Sequence, residues 1–134
     1  MELPIITRPP SGANGPIRLL VVDDDPDIFD YFREICPLPR FSVAAAPDGL
    51  TAEQMALRET FNVAFVDYFM EGMNGPEAAQ LLHRAQPALP VVLMSGFFAG
   101  NREKVMEEAG AADFLVKPIT AESAHAIIER LVGG

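Results

Sequence analysis

The sequence predicts an α/β fold in which one parallel β-sheet carries helices on both faces. Along the 134-residue chain, five short apolar segments alternate with five segments of helical periodicity. The apolar segments are continuous rather than alternating between apolar and polar residues, as expected for strands that are covered on both faces. The connections are short, so one sheet within a single domain satisfies the whole pattern.

The predicted strands are short apolar runs, most of them rich in β-branched residues. The second is the weakest, because three alanines stand where the other strands have larger side chains. In chain order the five strands are IRLLVV (17–22), FSVAAA (41–46), NVAFVD (62–67), PVVLMS (90–95) and ADFLVK (112–117).

The predicted helices place apolar residues at positions i, i+3, i+4 and i+7. The third helix has this spacing at Ala78, Leu81, Leu82 and Ala85. The first helix follows Asp25, which suits an N-cap, and has proline at its first position. In chain order the helices are PDIFDYFREI (26–35), GLTAEQMALRET (49–60), GPEAAQLLHRA (75–85), NREKVMEEAG (101–110) and TAESAHAIIERL (120–131).

The first 16 residues contain four prolines and several other turn formers, so we expect an extended arm over residues 1–16 and the folded domain over residues 17–134. No apolar run has membrane-spanning length, and the N-terminus lacks the basic start and apolar core of a secretory signal. A single cysteine, Cys36, cannot form an internal disulfide, which is typical of a cytoplasmic protein. A net charge of −9 makes direct binding of nucleic acid unfavourable.

Chemically active residues follow four of the five predicted strands. Parallel strands deliver their carboxyl ends to one edge of the sheet, where ligands bind in folds of this class. The first strand ends at Asp23, Asp24 and Asp25, and the third ends at Asp67. Because Asp25 is accounted for as a helix cap, three carboxylates converge on this edge and require a cation. Hard oxygen ligands of this kind favour Mg²⁺.

The remaining two strand ends carry groups that suit phosphoryl oxygens. The fourth strand ends at Ser95 and the fifth at Lys117, a hydroxyl and an ammonium. A carboxylate beside Mg²⁺ is also a nucleophile in aspartyl-phosphate chemistry. The set as a whole therefore indicates phosphoryl transfer onto an aspartate.

The segments LLVVDDDPDI, VAFVDYFMEGMNGPEA, VVLMSG and GAADFLVKPI resemble the receiver domain of two-component response regulators, in order and spacing, over roughly residues 17–132. The resemblance implies a flavodoxin-like, doubly wound sheet of strand order 2-1-3-4-5 with five helices. It implies that Asp67 accepts a phosphoryl group from a histidine kinase or a histidine phosphotransfer protein. It further implies that Mg²⁺ is held by Asp23, Asp24 and Asp67 with the backbone carbonyl of Phe69.

The same resemblance implies a conformational switch. Lys117 would pair with the phosphoryl group, Ser95 would move toward it, and Phe114 would turn inward with Ser95. The surface formed by helix 4, strand 5 and helix 5 would change as a result and bind a target protein. The bond between Lys117 and Pro118 is usually cis in this family. Such a domain is a signalling phosphoacceptor rather than an enzyme, with at most slow self-catalysed phosphorylation and dephosphorylation.

Three residues near the predicted site depart from the usual family pattern. Glu71 stands where the family usually has proline, and Gly96 stands where alanine is frequent. Phe69 lies at a position where the family tunes hydrolysis of the phosphoryl group, and a bulky apolar side chain there would hinder an attacking water.

Glu71 and Gly96 support an alternative, a receiver-like interaction module with weak or no phosphorylation. A haloacid-dehalogenase-type phosphatase is a weaker alternative, because Asp67 would then have no role. The sequence leaves open whether the domain is stand-alone or a fragment, and whether it is a monomer or a phosphorylation-linked dimer. It also leaves open which kinase and which target bind.

Overall fold

A computed structural model describes residues 15–96 and 102–133 of the chain. The described strands are β1 Ile17–Val22, β2 Phe41–Ala46, β3 Val63–Asp67, β4 Phe69–Met70, β5 Met73–Asn74, β6 Val91–Ser95 and β7 Asp113–Val116. The described α-helices are α1 Pro26–Ile35, α2 Gly49–Arg58, α3 Gly75–Ala85, α4 Arg102–Ala109 and α5 Ala121–Ile128, and a π-helical segment, Glu129–Gly133, follows α5.

The five long strands form one parallel sheet in the order β2-β1-β3-β6-β7. This confirms the predicted order 2-1-3-4-5, because β6 and β7 are the fourth and fifth of the predicted strands. The register sets Val22 of β1 beside Val66 of β3, and Ser95 of β6 beside Val116 of β7. The residues that follow these strands therefore meet at one edge of the sheet.

Side chains of successive strand residues enter two separate cores. Leu19 and Val21 of β1 pack with residues of α1 and α5, including Phe32 and Ile128. Their neighbours Leu20 and Val22 pack on the opposite side, with residues of α2 and α3. Burial on both faces explains why the strands are continuous apolar runs, and it confirms the doubly wound arrangement.

The predicted start of α1 is confirmed, whereas α5 ends earlier than predicted. Asp25 caps α1 and accepts a hydrogen bond from the backbone N–H of Asp27 at 3.0 Å, with Pro26 in the first turn. The α-helical part of α5 ends at Ile128, three residues before the predicted end, and the chain continues as the π-helical segment.

A two-stranded hairpin that the sequence analysis did not predict follows β3. Strands β4 and β5 pair in antiparallel fashion, Phe69 with Asn74 and Met70 with Met73. The two-residue turn consists of Glu71 and Gly72, and Gly72 has a φ of 83°, a conformation that favours glycine. The hairpin stands beside the edge of the sheet where the predicted site lies.

Several other expectations can be compared with the described residues. Cys36 is buried at the end of α1, and burial raises the pKa of its thiol to about 11. The bond between Lys117 and Pro118 is cis, as the resemblance implied. Within residues 15–96 and 102–133, no helix is both long and apolar enough to cross a bilayer. Most of the predicted arm (residues 1–16) lies outside the described residues.

Gly75, the first residue of α3, packs tightly against the end of β3. A Cβ atom there would lie 2.9 Å from the Cα of Tyr68 and 3.0 Å from the carbonyl oxygen of Asp67. We expect Gly75→Ala to lower the free energy of unfolding by about 1–3 kcal/mol, measured by urea denaturation, because backbone atoms must shift.

Gly96→Ala is the matched control for this substitution. A Cβ atom at Gly96 would meet Lys117 Cβ at 3.8 Å, an ordinary contact. We expect its stability to remain within about 0.5 kcal/mol of the parent. Equal stability of the two variants would contradict the tight packing at Gly75.

Candidate functional site

Three carboxylates meet at the edge of the sheet where β1 and β3 end. Asp23, Asp24 and Asp67 each offer one oxygen, and these oxygens all lie within 4.8 Å of one another. Asp23 and Asp67 are buried, with 8% and 6% exposure, whereas Asp24 is exposed. The structure thus brings together the three acidic residues that the sequence analysis selected, because β1 and β3 are parallel neighbours.

Lys117, the residue after β7, reaches the buried pair of carboxylates. Its Nζ lies 2.9 Å from Oδ1 of Asp67 and 3.2 Å from Oδ2 of Asp23. The contact spans β6, which lies between β3 and β7 in the sheet. One ammonium against three ionised carboxylates leaves two negative charges in the cluster, which favours binding of a divalent cation.

Backbone groups fix the orientation of two of the acids. The N–H of Asp25 donates to Oδ1 of Asp23 at 2.9 Å, so both oxygens of Asp23 are engaged. The N–H of Glu71, in the turn of the β4–β5 hairpin, donates to Oδ2 of Asp24 at 3.1 Å. Asp25 itself serves α1 as its cap, as expected, and is not a member of the acidic cluster.

Burial is the largest influence on the pKa values of the two buried carboxylates. It raises the pKa of Asp67 and of Asp23 above the ordinary value of 3.8, although hydrogen bonds and the charge of Lys117 act in the opposite direction. For Lys117, burial lowers the pKa, but the hydrogen bond to Asp67 and the two carboxylate charges outweigh it, so the pKa is raised. Lys117 is therefore an ammonium at neutral pH.

The donor set fits Mg²⁺. All three side chains supply hard carboxylate oxygens, and Asp24 faces solvent, which leaves room for the water molecules that Mg²⁺ retains. Phe69, whose carbonyl the resemblance adds as a further ligand, is the first residue of β4, two residues after Asp67. Its role as a ligand remains a prediction.

Ser95 and Phe114 lie on neighbouring strands of the sheet. Ser95 ends β6 and is 2% exposed. It pairs in register with Val116, which lies two residues beyond Phe114 in β7, so Ser95 and Phe114 belong to the same face of the sheet. Phe114 is half-buried against the core between the sheet and helices α2, α3 and α4.

Three features of the site escaped the sequence analysis. One is the backbone bond from Glu71 to Asp24, which no side-chain pattern signals. Another is the guanidinium of Arg102, which lies over the ring of Phe114. The third is the position of Phe69, which is 63% exposed and contacts the Tyr68 ring edge-on at a centroid distance of 4.6 Å.

Residues 19–129 match the family model of the response regulator receiver domain. The chain belongs to this family. The match contains all of the predicted site residues, and it confirms the resemblance drawn from the sequence motifs.

The receiver domain is also similar to parts of longer curated proteins. It is 36% identical over 118 residues to the nitrogen assimilation regulatory protein NtrX of Azorhizobium caulinodans, covering 84% of this chain and 25% of that protein. It is 31% identical over 117 residues to the transcriptional regulatory protein TctD of Salmonella typhimurium, covering 87% of this chain and 52% of that protein. The chain thus spans between a quarter and about half of these two relatives.

Solved structures share the fold. Vibrio cholerae chemotaxis protein CheY4 superposes with a TM-score of 0.80 at 23% identity, covering 87% of this chain and 98% of that chain. The receiver domain of a sensor histidine kinase from Pseudomonas aeruginosa PAO1, solved with a magnesium ion coordinated in its active-site cleft, gives a TM-score of 0.75 at 20% identity, with coverages of 89% and 99%. Both are similar to this receiver in fold.

The raised pKa of Asp67 generates a stability prediction. The ionised form of Asp67 is disfavoured in the folded protein, so above the raised pKa this residue lowers the free energy of unfolding. The effect disappears below pH 3.8, where Asp67 is protonated in both the folded and the unfolded protein. We expect Asp67→Asn to increase the free energy of unfolding at pH 7, in chelator, by about 0.5–2 kcal/mol. The increase should shrink as the pH falls toward 3.8.

Asp30→Asn is the control, because Asp30 is exposed on α1, away from the cluster. We expect it to change stability by less than about 0.5 kcal/mol at either pH. Urea denaturation at the two pH values measures both variants. A less stable Asp67→Asn protein at pH 7 would mean that Lys117 compensates Asp67 fully.

Proposed function

We propose that this receiver domain accepts a phosphoryl group on Asp67 and uses Mg²⁺ to do so. The observation that supports this most directly is the position of Asp67, which is buried within a cluster of three carboxylates and held at 2.9 Å by the ammonium of Lys117. A structural ion pair would need one carboxylate for one ammonium. A surplus of two negative charges at a buried site instead suits a divalent cation and an incoming phosphoryl group.

The donor in this proposal is a phosphohistidine of a histidine kinase or of a histidine phosphotransfer protein. A carboxylate oxygen of Asp67 forms the new oxygen–phosphorus bond as the nitrogen–phosphorus bond of the donor breaks, and the released imidazole takes up a proton from solvent. Mg²⁺ would neutralise negative charge on the phosphoryl oxygens. It would be held by Asp23, Asp24 and Asp67, with the backbone carbonyl of Phe69.

Lys117 has two roles in this scheme. Before transfer, its Nζ reduces the repulsion between Asp67 and Asp23, which it contacts at 2.9 Å and 3.2 Å. After transfer, its charge is available to a phosphoryl oxygen, a charge-assisted contact in a partly buried place. Its raised pKa keeps it protonated throughout the neutral range.

The output in this proposal is a change of surface rather than a chemical product. Modified Asp67 would attract Ser95, and Phe114 would turn into the space that Ser95 leaves. The affected surface is formed by α4, β7 and α5, the family's helix 4, strand 5 and helix 5, and it would bind a target protein. The domain would act in the cytoplasm over residues 17–134, as a monomer or a phosphorylation-linked dimer, with no direct contact to nucleic acid or membrane.

The proposal predicts a covalent modification. With Mg²⁺ and acetyl phosphate, we expect the intact protein to gain one phosphoryl increment by mass spectrometry, because Asp67 is the buried nucleophile beside the ammonium. Asp67→Ala should show no increment, and chelator should abolish it in the parent protein. Asp30→Ala, which removes an exposed acid of α1, should be modified like the parent.

An increment that survives in Asp67→Ala would place the acceptor elsewhere and contradict the assignment. No increment in any sample, repeated with a histidine kinase as donor, would favour the interaction module with weak or lost phosphorylation. Glu71 and Gly96 would then be the first residues to replace with the proline and alanine usual in the family.

The proposed switch predicts changes beyond the acidic cluster. Mg²⁺ with beryllofluoride, an analogue of the phosphoryl group, should shift backbone amide signals near Ser95 and Phe114 as well as near Asp67. Heteronuclear NMR measures these shifts, and Ser95→Ala should reduce those near Phe114 while those near Asp23 persist. Shifts confined to the acidic cluster in the parent protein would mean anion binding without a switch.

A further inference from the structure

The guanidinium of Arg102 lies closely over the ring of Phe114. Arg102 is the first residue of α4, and its Cζ is 3.6 Å from the ring centroid of Phe114 in β7. The other described arginine–ring contacts are longer, between 4.9 and 5.6 Å. A distance of 3.6 Å corresponds to direct stacking of the planar guanidinium on the ring face.

Arg102 lies in the first described turn of α4, toward the helix end that does not favour a cation. The N-terminal end of a helix carries partial positive charge, so a guanidinium there is destabilised unless another group compensates for it. Here the electron-rich face of Phe114 provides that compensation. The same ring packs against the apolar core between the sheet and α2, α3 and α4, so it is held between this core and the guanidinium.

We propose that Arg102 is a positioning residue that holds Phe114 in its half-buried place and thereby opposes activation of the receiver. The inference rests on the proposed function, because it gives Arg102 control over the Ser95–Phe114 switch. In this inference a residue of α4 acts directly on the switch, in addition to the acidic cluster and Lys117.

The geometry of the sheet links this contact to the switch. Ser95 and Phe114 lie on the same face of β6 and β7, and the guanidinium covers Phe114 on that side of the sheet, where α4 packs. In this proposal the described position of Phe114 is that of the unphosphorylated protein, and the ring leaves the guanidinium when it turns inward. A contact made in the resting state alone lowers the population of the activated state, and with it the apparent affinity for any group that requires that state.

The test is the affinity for beryllofluoride in the presence of saturating Mg²⁺, measured by NMR titration of the full chain. Arg102→Gln keeps a helix-forming side chain of similar shape but removes the charge and the guanidinium. We expect it to bind beryllofluoride about two- to tenfold more tightly than the parent, the range that corresponds to one cation–π contact.

The direction of this change separates the proposal from simple electrostatics. Removing a positive charge from the neighbourhood of an anion site would weaken binding of the analogue, whereas releasing Phe114 strengthens it. In a Phe114→Leu background, Arg102→Gln should lose its strengthening effect, because the ring on which Arg102 acts is absent. Arg33→Gln removes the contact of Arg33 with Phe29 on α1 (5.6 Å) and should leave the affinity unchanged.

The possible results are distinguishable. Unchanged or weaker binding by Arg102→Gln, with normal binding by the parent, overturns the role of Arg102 and leaves phosphorylation of Asp67 intact. Tighter binding that persists in the Phe114→Leu background also overturns it, since the effect then does not pass through the ring. If the parent fails both to bind the analogue and to take a phosphoryl group from any donor, the proposed function fails, and the role of Arg102 fails with it.

Discussion

The compensation of two buried carboxylates by one ammonium is the constraint on which the rest of the structure depends. Asp23 and Asp67 are carried to the same place by adjacent parallel strands, and burial disfavours their ionised forms. Lys117 reaches both from the far side of β6. The fold must therefore hold three strand ends in a fixed relation, and the two apolar cores on either side of the sheet provide that rigidity.

The compensation is incomplete, and the charge that remains favours binding of a divalent cation. With Asp24 included, the cluster keeps two more negative charges than positive ones, and Asp24 faces solvent. A site fully neutralised by its own side chains would have little affinity for a cation. The unpredicted β4–β5 hairpin belongs to the same arrangement, because the N–H of Glu71 holds Asp24 in place without adding a positive side chain to the cluster.

The contact between Arg102 of α4 and Phe114 of β7 is the second feature on which the proposed function depends. Phe114 lies between the apolar core and the guanidinium of Arg102, while Ser95 is buried at the end of the neighbouring strand. In the proposed switch, the acidic cluster and the surface around α4 are connected through these two side chains, which lie on one face of the sheet. The chain belongs to the response regulator receiver family, and in the proposed switch this connection is where regulation would act.

The amino-acid sequence is sufficient to predict the fold class and the five main strands, because continuous apolar runs are local patterns. The candidate site residues Asp23, Asp24, Asp67, Ser95 and Lys117 could be selected in the same way, because they follow the predicted strands directly. The strand order and the cis bond came with the family motifs, and the structure agrees with both. The hairpin after Asp67, the hydrogen bond from Glu71 to Asp24 and the contact of Arg102 with Phe114 became visible in the folded structure. These features depend on backbone donors and on side chains that are far apart in sequence. The packing of helices and strands brings these groups together, so no periodic pattern in the sequence predicts their contacts.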